Sequence, residues 1–176
     1  MLNAVEVQRI LPHRYPFLFI DRVLEVVPQE SIVAEHLVSM SSPILQGHFP
    51  GHPILPGVVQ VEAMAQAAVV LAHASGHFDP ARHNCYFIGI SQAKFRAPAV
   101  PGEALQITVK AERLGRVGKF SGEVRAGNEL KSSASFTARS ASLTGPAPSP
   151  LSQARGAWRQ YFSAIRPALR AASSSS

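Results

Sequence analysis

A histidine and a glutamate joined by a stiff Gly/Pro stretch carry the chemistry of this chain. Within residues 47–66, GHFPGHPILPGVVQVEAMAQ, His48 sits in a turn and Pro56-Gly57 starts a helix. Glu62 is then the lone carboxylate among Val58, Val59, Val61, Ala63, Met64 and Ala65. Histidine titrates closer to neutrality than any other side chain. A carboxyl among apolar neighbours is desolvated, which raises its pKa and favours the protonated form. The first turn of a helix offers unpaired N–H groups and the positive end of a dipole to a developing anion. A base, an acid and an oxyanion-binding helix end are the parts needed to move protons beside a carbonyl.

Elements must hold these groups in place. Residues 5–11 read as a short helix stopped by Pro12, and residues 17–27 as a strand broken around Asp21-Arg22. A second strand spans 31–39. The helix that carries Glu62 runs from about 58 to 75, with Gly76 as its stop. It is apolar on nearly every face, the mark of a helix enclosed by other structure. Residues 84–90 form an apolar strand that extends through 91–97. Segments 104–114, 119–126 and 129–140 then alternate as a meander, with turns at Gly115, Gly118 and Gly127-Asn128. Strands, one buried helix, then more strands predict an α+β fold whose sheet curls around the helix. A helix this apolar against a single sheet leaves an edge or face for a partner subunit, so an oligomer is expected.

Composition narrows the function classes. The 176 residues are 46% hydrophobic, enough for a core, and predict one domain with an appendage. The single cysteine, Cys85, allows no intramolecular disulfide and fits a reducing compartment. The N-terminus lacks the pattern of a signal peptide, and no uncharged apolar run is long enough for a membrane span, so a cytoplasmic protein is expected. The net charge of +6 is concentrated at the end: residues 151–176 hold four arginines and no acid, leaving 13 basic against 11 acidic residues before them. With no basic run or aromatic RNA-binding motif, nucleic acid is not an expected partner.

Three stretches resemble one family: LPHRYPFLFIDR (11–22), GHFPGHPILPGVVQVEAMAQ (47–66) and YFIGISQAKFRAPAVPGEAL (86–105). They are similar to the 3-hydroxyacyl-ACP dehydratases of the FabZ type, over roughly residues 3–140 in unbroken order. The resemblance implies the hot-dog fold, an antiparallel sheet wrapped around a long central helix. It also implies a homodimer with composite active sites, commonly assembled as a trimer of dimers. The reaction implied is dehydration of (3R)-3-hydroxyacyl-ACP to trans-2-enoyl-ACP. His48 of one subunit and Glu62 of the other match the catalytic pair, and Gly57 matches the residue whose backbone N–H binds the thioester oxygen. The related FabA type carries Asp where this chain has Glu62, which favours dehydration without isomerisation. Val58, Tyr86 and Phe87 fall beside the substrate, Tyr86 matching a residue that gates the acyl tunnel. Gln66, one turn after Glu62, is placed to orient its carboxyl. Lys94 and Arg96 would flank the tunnel mouth and attract an acidic acyl carrier protein. Ser91 departs from the family's usual aspartate, and His52 from its usual small residue or lysine.

No cofactor is expected beyond the phosphopantetheine arm on which the carrier presents its substrate. The pairs His48/His52 and His73/His77 have metal-ligand spacing, but each straddles a glycine and lacks a completing carboxylate or cysteine, so no metal is expected. Domain boundaries are placed at 1–143 for the dehydratase domain, 144–151 for a Pro-rich linker, 152–170 for a basic amphipathic extension and 171–176 for a disordered tail. The extension carries Trp158, Tyr161, Phe162, Ile165 and Leu169 at helical spacing, interrupted by Pro167. It docks on the domain itself or meets a carrier, a partner enzyme or an anionic membrane surface. Two alternatives stay open: a hot-dog acyl-thioesterase in which Glu62 activates water, and a non-catalytic acyl-carrier-binding module.

Overall fold

The computed structural model describes residues 1–143; the linker and the basic extension lie outside the described residues. Helix α1 (Ala4–Ile10) starts at a reciprocal cap. The Asn3 side chain accepts from the N–H groups of Val5 and Glu6, and the Glu6 carboxylate accepts from the Asn3 N–H. Pro12 cannot continue it.

Six antiparallel strands follow: β1 (Arg22–Val27), β2 (Ser31–Leu37), β3 (His83–Phe95), β4 (Ala104–Arg113), β5 (Val117–Ala126) and β6 (Glu129–Ser142). Their order in the sheet is β1-β2-β4-β5-β6-β3, so β3 lies at one edge, joined only to β6. Between β2 and β3 the chain passes a short 3-10 turn (Pro43–Leu45) and then the long helix α2 (Gly57–Ala74). Alternation along β4 and β5 turns Leu105, Ile107, Val109, Phe120 and Val124 toward α2, while Gln106, Lys110 and Glu123 face outward.

Helix α2 is long and apolar enough, by composition, to cross a membrane, but 61% of it is buried inside this protein. It is a core helix. Its seat on the sheet is close: a Cβ at Gly122 on β5 would lie 2.9 Å from the Met64 sulfur, so this glycine lets helix and sheet meet. The helix ends with Gly76 at φ 76°, a left-handed conformation that glycine adopts freely. There the β1–β2 turn clamps it, as Gln29 donates through its backbone N–H to Ser75 Oγ and through Nε2 to Ser75 O, both at 2.8 Å. One helix wrapped by one curled antiparallel sheet is the hot-dog arrangement that the resemblance implies.

Two expected elements differ in extent. The strand placed over 17–27 begins only at Arg22, because the backbone at 17–19 is taken by a side chain of α2. The two strand pieces at 84–97 are one strand of 13 residues, β3, irregular between Phe87 and Gly89 and between Ile90 and Gln92.

Candidate active site

Glu62 projects from the second turn of α2 toward the segment that precedes β1. Gln66, one turn on, donates through Nε2 to Glu62 Oε1 at 2.9 Å. The orientation of that amide is set by the chain behind it: Gln66 Oε1 accepts from the Phe19 N–H at 2.8 Å, and Nε2 also donates to Phe17 O at 3.0 Å. The sequence spacing thus becomes an orienting hydrogen bond, and the Gln66 amide pins the 17–19 backbone to the helix. Glu62 is otherwise enclosed. Burial pushes its carboxyl up to about 7, a rise that the Gln66 hydrogen bond only partly offsets.

His48 lies in the Gly/Pro loop ahead of α2, half-buried, with Phe49 stacked on its ring at a centroid distance of 4.3 Å. Its Nδ1 is 3.0 Å from the Ile54 carbonyl oxygen, and the Ile54 N–H donates to His48 O at 2.8 Å. The Nδ1 contact places the proton on Nδ1 and leaves Nε2 as the basic nitrogen. Among the described residues, no hydrogen bond or ion pair joins His48 to Glu62 within the chain.

Gly57 opens α2 after Pro56, and the first intrahelical acceptance begins only with Val59 and Gln60 onto Pro56 O. The N–H groups of Gly57 and Val58 therefore have no acceptor among the described residues. A Cβ at Gly57 would stand 2.5 Å from the Phe95 ring, which crosses this helix end. Val58 is 49% exposed.

Tyr86 is half-buried on β3 and its phenol accepts a long 3.4 Å contact from Asn84 Nδ2. Phe87 packs edge-on against Phe136 at 5.5 Å. Lys94 near the end of the same strand and Arg96 just beyond it are exposed. Ser91 donates to the Ser135 carbonyl, a bond within the sheet. His52 is exposed, and among the described residues no three His, Cys, Asp or Glu side chains gather as a metal ligand set.

From Glu62 one face of α2 continues through the half-buried Ala65, the buried Val69 and the half-buried Ala72. At its far end is a small apolar hollow, partly open to solvent and lined by Ala68, Val69, Ala72, Phe78, Cys85 and Phe120 among others. Burial, with the nearby Glu62 charge, pushes the Cys85 thiol up to about 11, so it sits there as a small apolar group.

One residue that spacing arguments passed over also belongs to this site. His13 Nε2 lies 3.6 Å from Glu62 Oε1. The only signal for it in the sequence was its place inside the LPHRYPFLFIDR stretch.

A largely buried carboxyl on the core helix of a hot-dog fold lies beside a helix start whose first N–H groups are unpaired among the described residues. Residues 11–132 match the FabA-like domain family. A 3-hydroxyacyl-[acyl-carrier-protein] dehydratase FabZ of Cereibacter sphaeroides is 48% identical over 133 residues, 75% of this chain and 86% of that protein. The FabZ of Geobacter metallireducens is 51% identical over 106 residues, covering 60% and 71%. Among solved structures, the dehydratase heterocomplex ApeI:P from Xenorhabdus doucetiae superposes with a TM-score of 0.66 at 23% identity, covering 84% of this chain and 95% of that one. The PaaI protein of E. coli superposes at 0.53 with 13% identity, covering 66% and 80%. The structural likenesses concern the fold. The sequence relatives go further: the chain belongs to the FabZ-type dehydratases within the FabA-like family.

Proposed function

We propose that this chain removes water from (3R)-3-hydroxyacyl-ACP to give trans-2-enoyl-ACP in fatty-acid biosynthesis, with His48 as base and Glu62 as acid. The observation that carries the reading is the Glu62 carboxyl, held protonated near neutrality on the core helix of a FabZ-type chain. The thioester oxygen sits at the free N–H groups of Gly57 and Val58, where the helix dipole favours negative charge. Polarisation acidifies C2, and the His48 Nε2 takes its proton. The bond to the C3 hydroxyl breaks as Glu62 supplies a proton, so water leaves and the C2–C3 double bond forms. One oxyanion donor contributes about 3 kcal/mol, and each acid or base group about 10²–10⁴-fold. The acyl chain runs down the Ala65, Val69 and Ala72 stripe toward the cavity, and Tyr86 and Phe87 border its path. No metal or nucleotide takes part, and the reaction belongs in the cytoplasm.

A homodimer supplies the second half of the site. From Phe87 to Phe95 β3 is exposed on both faces, including Ile88 at 55%, Ile90 at 52% and Phe95 at 55%. An apolar edge strand of this length needs cover. A second copy pairing there carries its His48 to this chain's Glu62, which accounts for their separation within one chain. Lys94 and Arg96 then offer positive charge to the acidic carrier at the rim.

Intact-mass spectrometry of a panel of 3-hydroxyacyl-ACPs tests this with wild type, His48→Ala and Glu62→Gln. Loss of one water with wild type alone is the expected result. Release of free carrier would make the chain a thioesterase, and an unaltered panel would leave it a carrier-binding module.

A further inference from the structure

We propose that His13 is a positioning residue that, with Gln66, fixes the Glu62 proton on Oε2, the oxygen that delivers it. The inference deepens the dehydratase reading and rests on it. Among the described residues, both polar contacts of the carboxyl fall on one oxygen: Gln66 Nε2 at 2.9 Å and His13 Nε2 at 3.6 Å both face Oε1. The Gln66 amide cannot turn over, because its own oxygen is committed to the Phe19 N–H. Oε1 is therefore an acceptor, the carbonyl oxygen of a protonated carboxyl.

The imidazole decides whether that assignment is kept. In one tautomer Nε2 carries the proton and points it at Oε1, reinforcing the acceptor role. In the other, Nε2 is a lone pair that would draw the Glu62 proton onto Oε1, away from substrate. His13 Nδ1 separates the two: it is buried and, among the described residues, has no hydrogen-bond partner. A proton there would face no acceptor, whereas on Nε2 it faces the Glu62 Oε1, so the proton belongs on Nε2. The same enclosure opposes a second proton, and with the neighbouring Arg14 it pushes His13 down to about 4. The ring is thus a neutral donor across the working range.

The chain invests in this placement. Arg14 donates to the carbonyls of Gln8, Leu11 and His13, at 3.0, 2.7 and 2.7 Å, closing the turn that leads from α1 through His13. Phe17 borders the ring at 6.1 Å. The separation of 3.6 Å exceeds a hydrogen bond, leaving the contact to close when substrate and a partner subunit fill the site. The titratable groups that face Glu62 are His13 from this turn and Cys85 from β3, with the partner's His48 added in a dimer, and Arg14 acts on His13.

The test compares His13→Gln, whose amide nitrogen reaches the Nε2 position, with His13→Asn, whose amide does not. For Asn, kcat should fall about tenfold to a hundredfold with KM nearly unchanged. Loss of a donor that favours the carboxylate should also move the alkaline limb of kcat/KM to higher pH. Gln should restore both. Equal activity in both variants, or equal loss with an unmoved limb, would overturn the proposal. Nitrogen NMR of side-chain-labelled wild type gives an independent readout: an Nε2–H tautomer is expected over about pH 6 to 8, and an Nδ1–H tautomer or imidazolium refutes it. Wild type that binds substrate without dehydrating it would instead refute the function, whatever the tautomer.

Discussion

At Glu62 a single carboxyl links stability to chemistry. Its ordinary value of 4.5 rises to about 7 because folding strips its water and returns one hydrogen bond from Gln66. Between those values the folded chain keeps a proton that the unfolded chain has released. Folding stability therefore falls as pH climbs from 4.5 to about 7, and the loss is complete above that. It amounts to about 3 kcal/mol, at roughly 1.4 kcal/mol per unit. Glu62→Gln cannot ionise and escapes this cost. Melting temperatures of the two proteins should thus draw apart with rising pH, the glutamine form gaining; a constant gap would mean that burial does not control this carboxyl. Activity should decline over the same range, because an acid that has lost its proton has none to give. A kcat/KM profile with an alkaline midpoint near 7 is the expected result.

Two elements meet at the start of α2, where Gly57 leaves room for the Phe95 ring of β3. Gly57→Ala keeps the N–H but drives a methyl into that ring. Phe95 is 55% exposed and can swing aside, so melting should hardly change. Activity should fall tenfold or more as the helix end crowds the thioester site, and adding Phe95→Ala should recover part of it; full activity in Gly57→Ala alone would remove the close approach from the mechanism. At the other end, Ala72 lies ten residues beyond Glu62, about 15 Å along the helix. Ala72→Phe should close the cavity there and abolish turnover of long acyl chains while short ones still react, which competition between carrier-bound substrates would show.

These elements were legible to different degrees. Periodicity located α2 to within a residue at each end, since Pro56 and Gly76 punctuate it. The i, i+4 spacing of Glu62 and Gln66 already held their hydrogen bond. Strand propensity over-read residues 17–21, where Phe17, Leu18, Phe19 and Ile20 pack as core-facing loop and the Gln66 amide replaces a strand partner. No periodicity could reveal His13, because its role arises from α1 and α2 meeting across 49 residues of sequence.

For the molecule as a whole, β3 carries a run of exposed apolar side chains, Phe87, Ile88, Ile90 and Phe95, and Phe49 and Val58 in the loop and at the start of α2 are also about half exposed. The dimer proposed above would cover that edge and bring His48 to Glu62 by a two-fold pairing in which each site draws one residue from each copy. Complementation tests it without any structure of the dimer. His48→Ala and Glu62→Gln chains should each be inactive alone. Mixed dimers formed by co-expression or co-refolding would contain one site with both substitutions and one with neither. Random pairing should therefore restore roughly a quarter of the wild-type sites. If both residues of a site came from the same chain, mixing would restore nothing. Ile90→Glu gives the matching physical test, since a charge at the centre of the buried edge should leave a folded monomer by sedimentation that no longer dehydrates substrate. A monomeric Ile90→Glu protein with full turnover would show that one chain completes the site by itself.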